Sequence, residues 1–230
     1  MKELFENSVF FGVTVSLVTY LIGTFLQNKF RLAIFNPLLV SIAATILILI
    51  VSKIDYAAYN EGAKYLTYLL TPATVALAVP LYEKLDLLRQ SWKAIVCGIL
   101  SGVLTTLCSI LAMSVAFSLS HAEYVTFLPK SITTAIGMGV SEELGGNAGL
   151  TAVIIIITGV LGNATAPAVC KIFRINDPIA RGIAIGTSSH AAGTAKAMEM
   201  GDIEGAMSSL AIVVSGLLTV VGASVFAEFL

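Results

Sequence analysis

An all-α polytopic membrane fold of about seven or eight membrane segments, including broken or re-entrant helices, is what this sequence predicts, and three observations predict it. Of its 230 residues, 57% are hydrophobic and 12% charged, against roughly 25% charged in soluble domains. The apolar residues fall in blocks long enough to cross a bilayer, which takes about 20 residues per helix. Similar motifs also recur within the chain, as they do in membrane proteins built from two structural repeats.

The blocks are residues 8–26, 33–52, 65–81, 93–120, 150–173 and 206–229. Lys2 and an apolar run open the first, but the TFLQNKF that follows lacks a small-x-small cleavage site, so the block reads as a retained span. Residues 1–32 are then an N-terminal transmembrane helix, 33–126 a first repeat and 127–230 a second repeat that carries the substrate site. FNPLLVSIAATI pairs with FLPKSITTAIGM, Phe35 and Pro37 matching Phe127 and Pro129 at an offset of 92. TPATVALAVPLYEKLD pairs with NATAPAVCKIFRIND, Ala73 and Thr74 matching Ala164 and Thr165 at an offset of 91.

Each unit reads as span, acidic break, span, charged loop, span. An odd number of spans per unit puts the two in inverted topology. Loop charge conflicts with that count. Lys29, Arg31, Lys84, Arg89 and Lys93 lie inside by the positive-inside tendency, and the loop of Lys171, Arg174 and Arg181 would then lie outside. Either those charges bind something, or a re-entrant segment in the second unit changes the count.

Formal net charge is −1, with no basic patch, which excludes nucleic acid as a partner. Cys97, Cys108 and Cys170 form no CxxC pair and are expected to be buried packing residues. The sequence implies no cofactor and no metal.

Three polar clusters interrupt the apolar pattern of the C-terminal half. In residues 130–147 the hydroxyls Ser131, Thr133, Thr134 and Ser141 precede Glu142 and Glu143, and Gly145-Gly146 permits a sharp reversal. A helical hairpin or broken helix fits this pattern; a solvated loop with an interfacial helix is the alternative. GNATAP at 162–167 sets Asn163, Thr165 and Pro167 directly after a strongly apolar run. With TPAT at 71–74 it suggests two corresponding broken helices, or else small residues that let helices pack closely.

The third cluster is GTSSHAAGT at 186–194, behind an N-cap Asp177 and Pro178. Gly186 and Gly193 allow close approach or unwinding, and an unwound point would present half-helix N–H groups to a carboxylate. His190 could donate a hydrogen bond, carry a proton or simply pack. Ser188, Ser189 and His190 are neighbours on a helix and do not face each other, and no HExxH, GxSxG or P-loop pattern is present, so the chain reads as a non-enzyme.

SITTAIGMGVSEELGGNAGLTAVIIIITGVLG, DPIARGIAIGTSSHAAGTAKAMEMGDIEGAMSSLA and the N-terminal YNEGAKYLTYLLTPATVALAVPLY closely resemble the LrgB/CidB family, over nearly all of residues 36–222. One departure is Ala135, where many relatives have proline. The resemblance implies a multi-pass protein of the bacterial or archaeal cytoplasmic (inner) membrane, described as antiholin-like and linked to murein hydrolase activity and cell lysis. It also implies a small LrgA/CidA-like membrane partner, and it brings in relatives that move glycolate, glycerate or pyruvate.

The leading expectation is a secondary transporter of small monocarboxylates, proton-coupled, working in a lipid bilayer, with a homo-oligomer compatible with this reading. Its expected substrate residues are Ser131, Thr133, Thr134, Asn163, Thr165, Ser188, Ser189, His190, Gly193 and Thr194. Glu142, Glu143, His190 and Glu61 are the expected proton-coupling residues. The alternative is a holin/antiholin-like component acting with the small partner.

Overall fold

Uninterrupted apolar runs become long helices, and each end is marked by a residue that satisfies or releases the backbone. In the computed structural model, which describes residues 10–30, 35–69, 72, 75–76 and 78–230, the elements are helical and no strand occurs among the described residues. The chain forms two compact units, Met1–Ala76 and Leu77–Leu230. TPAT lies largely outside the described residues, as do residues 70 and 77 of the 65–81 block.

The first unit holds α1 (Phe11–Phe30), α2 (Pro37–Ser52) and α3 (Tyr56–Tyr68). Asn36 starts α2 by accepting from the N–H groups of Leu38 and Leu39 at 3.0 and 3.3 Å, with Pro37 behind it. Hydrocarbon gives helices no hydrophobic drive to associate, so close packing and hydroxyl contacts hold them. Thr19 Oγ1 lies 3.0 Å from Ser41 Oγ and 3.2 Å from Thr45 Oγ1, and Ser16 Oγ meets the Tyr59 hydroxyl at 2.7 Å.

The second unit runs α4 (Ala78–Glu83), α5 (Leu85–Ala116), α6 (His121–Phe127), α7 (Thr134–Glu143), α8 (Ala148–Ile172), α9 (Pro178–Met200) and α10 (Asp202–Phe226), ending in a short 3-10 turn, Ala227–Phe229. One face of α5, Ile95, Ile99, Val103, Leu107 and Ile110, forms the core with Tyr124, Val125, Leu128, Met207 and Ala211. On α10, Val213, Leu217, Val221 and Val225 make an exposed apolar stripe. Such a stripe is stable against lipid tails, which are as apolar as the side chains themselves.

Neighbouring residues fix the direction of each helix. Gly98 faces Ile183 and Gly102 faces Thr187, so α5 and the first half of α9 run the same way. Gly182 faces Glu204 and Gly186 faces Ser208, so α10 shares that direction; a Cβ on either glycine would stand 2.5 Å from a carbonyl oxygen of α10. Gly162 faces Ser189 while Ala166 packs with Ile185, so α8 runs the opposite way.

The second half of α9 reverses. A Cβ on Gly193 would stand 3.0 Å from Ile185 Cγ2, although in a straight helix residues eight positions apart are about 12 Å apart, and Ala197 joins Ile185 in one buried cluster. Met198 faces Gly205 while Thr194 meets Ser208, so this half descends α10 against its direction. Helix α9 is therefore a re-entrant hairpin that enters and leaves by one face.

Because α5 and α8 run in opposite directions, residues 117–147 also enter and leave by one face, the other one. Ser120 and Glu123 close a capping box at the start of α6. The return of α7 ends at Gly145, whose φ of 86° favours glycine, and Gly146 N–H bonds Ser141 O at 2.7 Å. Residues 130–147 are thus the return arm of a hairpin whose first arm, α6, precedes the stretch that the sequence marked. The loop-charge conflict also dissolves: with 117–147 re-entrant, Lys84, Arg89 and Lys93 share a face with Lys171, Arg174 and Arg181, as the positive-inside tendency requires.

Two expectations are corrected. GNATAP does not break α8, which runs unbroken past Pro167 to Ile172; the break lies in α9 instead. Cys97 and Cys108 are exposed, only Cys170 being buried, because an apolar thiol costs nothing extra on an outward membrane face. Among the described residues, four helices are long and apolar enough to cross a bilayer: Phe11–Phe30, Leu85–Ala116, Ala148–Ile172 and Asp202–Phe229.

In a background lacking Cys97, Cys108 and Cys170, single cysteines at His121 and Glu143 should react with an impermeant thiol reagent from one side of the membrane. Those at Asn176 and Asp202 should react only from the other. Labelling of His121→Cys and Glu143→Cys from opposite sides would show that 117–147 crosses.

Candidate functional site

The Thr187 and Ser188 hydroxyls turn back on their own helix. Thr187 donates to Ile183 O at 2.8 Å and Ser188 to Ala184 O at 2.7 Å. At His190 the helix breaks, with φ 42° and ψ −142°. A non-glycine residue held there stores roughly 1–3 kcal/mol, so surrounding contacts must impose it.

Those contacts come from α8 and α10. His190 Nε2 lies 2.9 Å from Ile155 O, and since a carbonyl only accepts, Nε2–H donates. The proton-binding position left is Nδ1. The ring lies against Gly159, where a Cβ would stand 2.5 Å from Cε1. Asn163 Nδ2 donates to Ala192 O at 2.6 Å, meeting a carbonyl beside the break. Thr194 Oγ1 lies 3.0 Å from His190 O and 2.7 Å from Ser208 Oγ, joining the tip to α10. Each of these groups sits deep in its helix, so the tip lies well inside the unit.

Two spaces flank the first half of α9. A cavity of about 100 Å³ between it and α8 is lined by Gly162, Thr165, Cys170, Ile175, Ser188 and Ser189, among others. A groove of about 700 Å³ between it and α5 is lined by hydroxyls including Ser91, Ser101, Thr105, Thr106 and Thr187. Ser188 borders both.

The structure thus brings Asn163, Thr165, Ser188, Ser189, His190, Gly193 and Thr194 to one tip. Within that set the roles divide. Ser188 and Thr165 are exposed to the small cavity, with Thr165 also donating to Leu161 O at 2.7 Å. Ser189 is buried, its Oγ 3.0 Å from that of Ser188. Gly193 lets the halves close, since a Cβ there would stand 2.5 Å from Ser189 Cβ. Asn163 and Thr194 hold backbone and neighbouring helix.

Ser131, Thr133 and Thr134 belong to the other hairpin. Ser131 is buried and accepts from Lys130 Nζ at 3.0 Å; Thr133 is the N-cap residue of α7 and makes no side-chain cap bond. One turn on, Gly137 packs on the side chain of Ile155, whose carbonyl His190 holds. The two hairpins therefore reach α8 from opposite faces at one residue.

Glu142 and Glu143 are not brought to His190. They are exposed at the far end of α7, about 12 Å along the helix from Thr134, where water can reach a carboxylate. Glu61 lies in the other unit, exposed on α3 and ion-paired with Lys64.

Sequence reasoning missed Ser208, the Ile155 carbonyl and an ion pair on a buried carboxylate. Arg181 Nη1 lies 3.6 Å from Glu204 Oε1, and Arg181 Nε donates to Ile175 O at 2.7 Å, tying the first turn of α9 to the first turn of α10. Glu204 in an otherwise apolar EGAMSSLA was a readable signal, because a buried carboxylate needs a cation.

The LrgB-like family matches residues 16–229 of this chain. The chain belongs to the LrgB-like family. Similar relatives are each named antiholin-like protein LrgB. That of Bacillus subtilis (strain 168) is 37% identical over 224 residues, covering 97% of both chains. Those of Bacillus cereus (strain B4264) and Bacillus anthracis (strain CDC 684 / NRRL 3495) are 37% identical over 222 residues, covering 96% of both. No solved structure matches. Family membership and the four apolar helices make the chain a multi-pass membrane protein with bacterial homologues.

Replacing His190 should separate strain from bonding. His190→Ala loses the Ile155 bond and keeps the strained backbone, for a loss of about 1–2 kcal/mol, whereas His190→Gly relieves the strain and should stay near wild type. Thermal unfolding in detergent checks the order; His190→Gly melting well below His190→Ala would contradict it.

Proposed function

We propose that this chain is a secondary transporter of small monocarboxylates of the pyruvate, glycolate or glycerate type, with the substrate held at the His190 break. The observation that carries the reading is a helix broken inside the unit, its polar tip beside a cavity of about 100 Å³. Irregular backbone at membrane depth is tolerated where protein surrounds it or it lines a cavity, and transporters place substrate at such breaks.

In this reading Ser188, Ser189 and Thr165 face the acid, and the second half of α9 turns the N-terminal end of its helix toward it. Ser131, Thr133 and Thr134 stand at the opposed tip as the second wall. His190 Nδ1 carries the coupled proton, a role that Glu142 and Glu143 at the outer end of α7 do not share. Residues 33–126 and 127–230 act as two repeats after helix 1–32, in a bacterial cytoplasmic membrane.

The names of the relatives favour a second reading, and they carry it further than they carry monocarboxylate transport, which none of them mentions. In that reading the chain is an antiholin-like component that modulates murein hydrolase activity and cell lysis with a small LrgA-like partner.

Uptake of labelled glycolate and pyruvate into proteoliposomes distinguishes the two. Transport predicts saturable uptake, stimulated by a proton gradient and lowered at least tenfold in Ser189→Ala. Folded protein that moves neither acid, alone or with the small partner, yet restores normal lysis to a deletion strain, would leave the antiholin-like reading.

A further inference from the structure

The exposed stripe on the first half of α9 consists of small residues four positions apart, Ala180, Ala184 and Ser188. That stripe is the floor of a trough. The groove of about 700 Å³ on its α5 side and the cavity of about 100 Å³ on its α8 side share Ala184 and Ser188, so the two are halves of one depression beside the break.

Helix α5 has two outward faces. On one, Val96, Leu100 and Leu104 are exposed and large, as hydrocarbon allows. On the other, Ser101 and Thr105 are exposed in the groove, and the hydroxyls of Thr105 and Thr106 have no hydrogen-bond partner among the described residues. Small residues alone would serve close helix packing as well as water. Hydroxyls at membrane depth that the protein does not meet favour water.

Position gives the trough a direction. From Ser91 to Thr106 the groove follows α5 for about 22 Å, against a hydrocarbon core of about 30 Å. Its outer end holds Ser91 and Asp177, on the face that carries Lys93 and Arg174. Its inner end lies level with His190, since Gly102 faces Thr187 and Thr106 stands one turn further along.

We propose that this trough is a water-filled path from the cytoplasmic face to the His190 break, where it ends, and that Ala184 is small so that the path stays open. The side is the one that the positive-inside tendency assigns to the Lys and Arg loops. The proposal rests on the transport reading for what travels, though not for the water, and it fixes the side from which the site is reached.

The test labels single cysteines with an impermeant thiol reagent, in the full chain lacking Cys97, Cys108 and Cys170 and reconstituted in liposomes. Ser101→Cys and Thr105→Cys should react from the side that labels Asn176→Cys, at least tenfold faster than Leu100→Cys and Leu104→Cys on the apolar face. Gly98 faces Ile183, so Ala184 lies between Ala94 at the mouth and Thr105 at the inner end. A bulky Ala184→Trp should therefore slow Thr105→Cys at least tenfold and leave Ala94→Cys unchanged; if that variant does not fold, the four cysteines on α5 decide. Groove cysteines as slow as those of the apolar face would mean that lipid or another helix fills the trough, and would overturn the proposal. Reaction of Thr105→Cys from the opposite side would also overturn it. Labelling as expected without uptake of glycolate or pyruvate supports the path and counts against transport, whereas uptake without labelling overturns the path alone.

Discussion

A helix broken inside a bilayer exposes carbonyls and N–H groups that hydrocarbon cannot satisfy, and the C-terminal unit is organised around meeting that demand at His190. Ile155 gives a carbonyl to the imidazole, Asn163 caps the Ala192 carbonyl, and Ser208 meets Thr194. These partners lie on α8 and α10, so the two long helices must stand on either side of the hairpin. The small residues follow from the same demand: Gly159 makes room for the ring, and Gly182 and Gly186 let α9 reach the backbone of α10.

That arrangement also settles direction. Once α9 enters and leaves by one face, α10 must start there, and the antiparallel pair α5 and α8 forces residues 117–147 to fold back from the opposite face. Two hairpins then approach α8 from either side and meet it at Ile155, one through Gly137 and the other through His190. The ion pair between Arg181 and Glu204 anchors the base of the α9 hairpin, where both residues sit in first turns. A charge pair there sets where the hairpin starts, and the tip contacts set where it turns.

Much of this was legible in the chain. Asp177-Pro178 announced the start of α9, Gly145-Gly146 the reversal after α7, and the loop charges left a re-entrant segment as one of two explanations. The misplaced elements have physical causes. Pro167 and Asn163 read as a break, but a proline inside a long apolar helix is tolerated when neighbours take up the freed groups, and Asn163 turned out to serve another helix's carbonyl. The turn fell on His190 rather than on Gly186 or Gly193 because both glycines are needed for close packing. Glu142 and Glu143 were grouped with His190 by nearness in sequence to the hydroxyl cluster, a criterion blind to the length of α7.

The reversal at His190 is the claim on which the site, the direction of the helices and the functional reading all rest. The most direct measurement is a cross-link between Ile185→Cys and Ala197→Cys in a chain lacking Cys97, Cys108 and Cys170. The hairpin predicts a disulfide within one chain under mild oxidation, since the two residues belong to one small buried cluster. No cross-link, with spin labels at the same positions reporting the separation of about 18 Å expected of a straight helix, would contradict it.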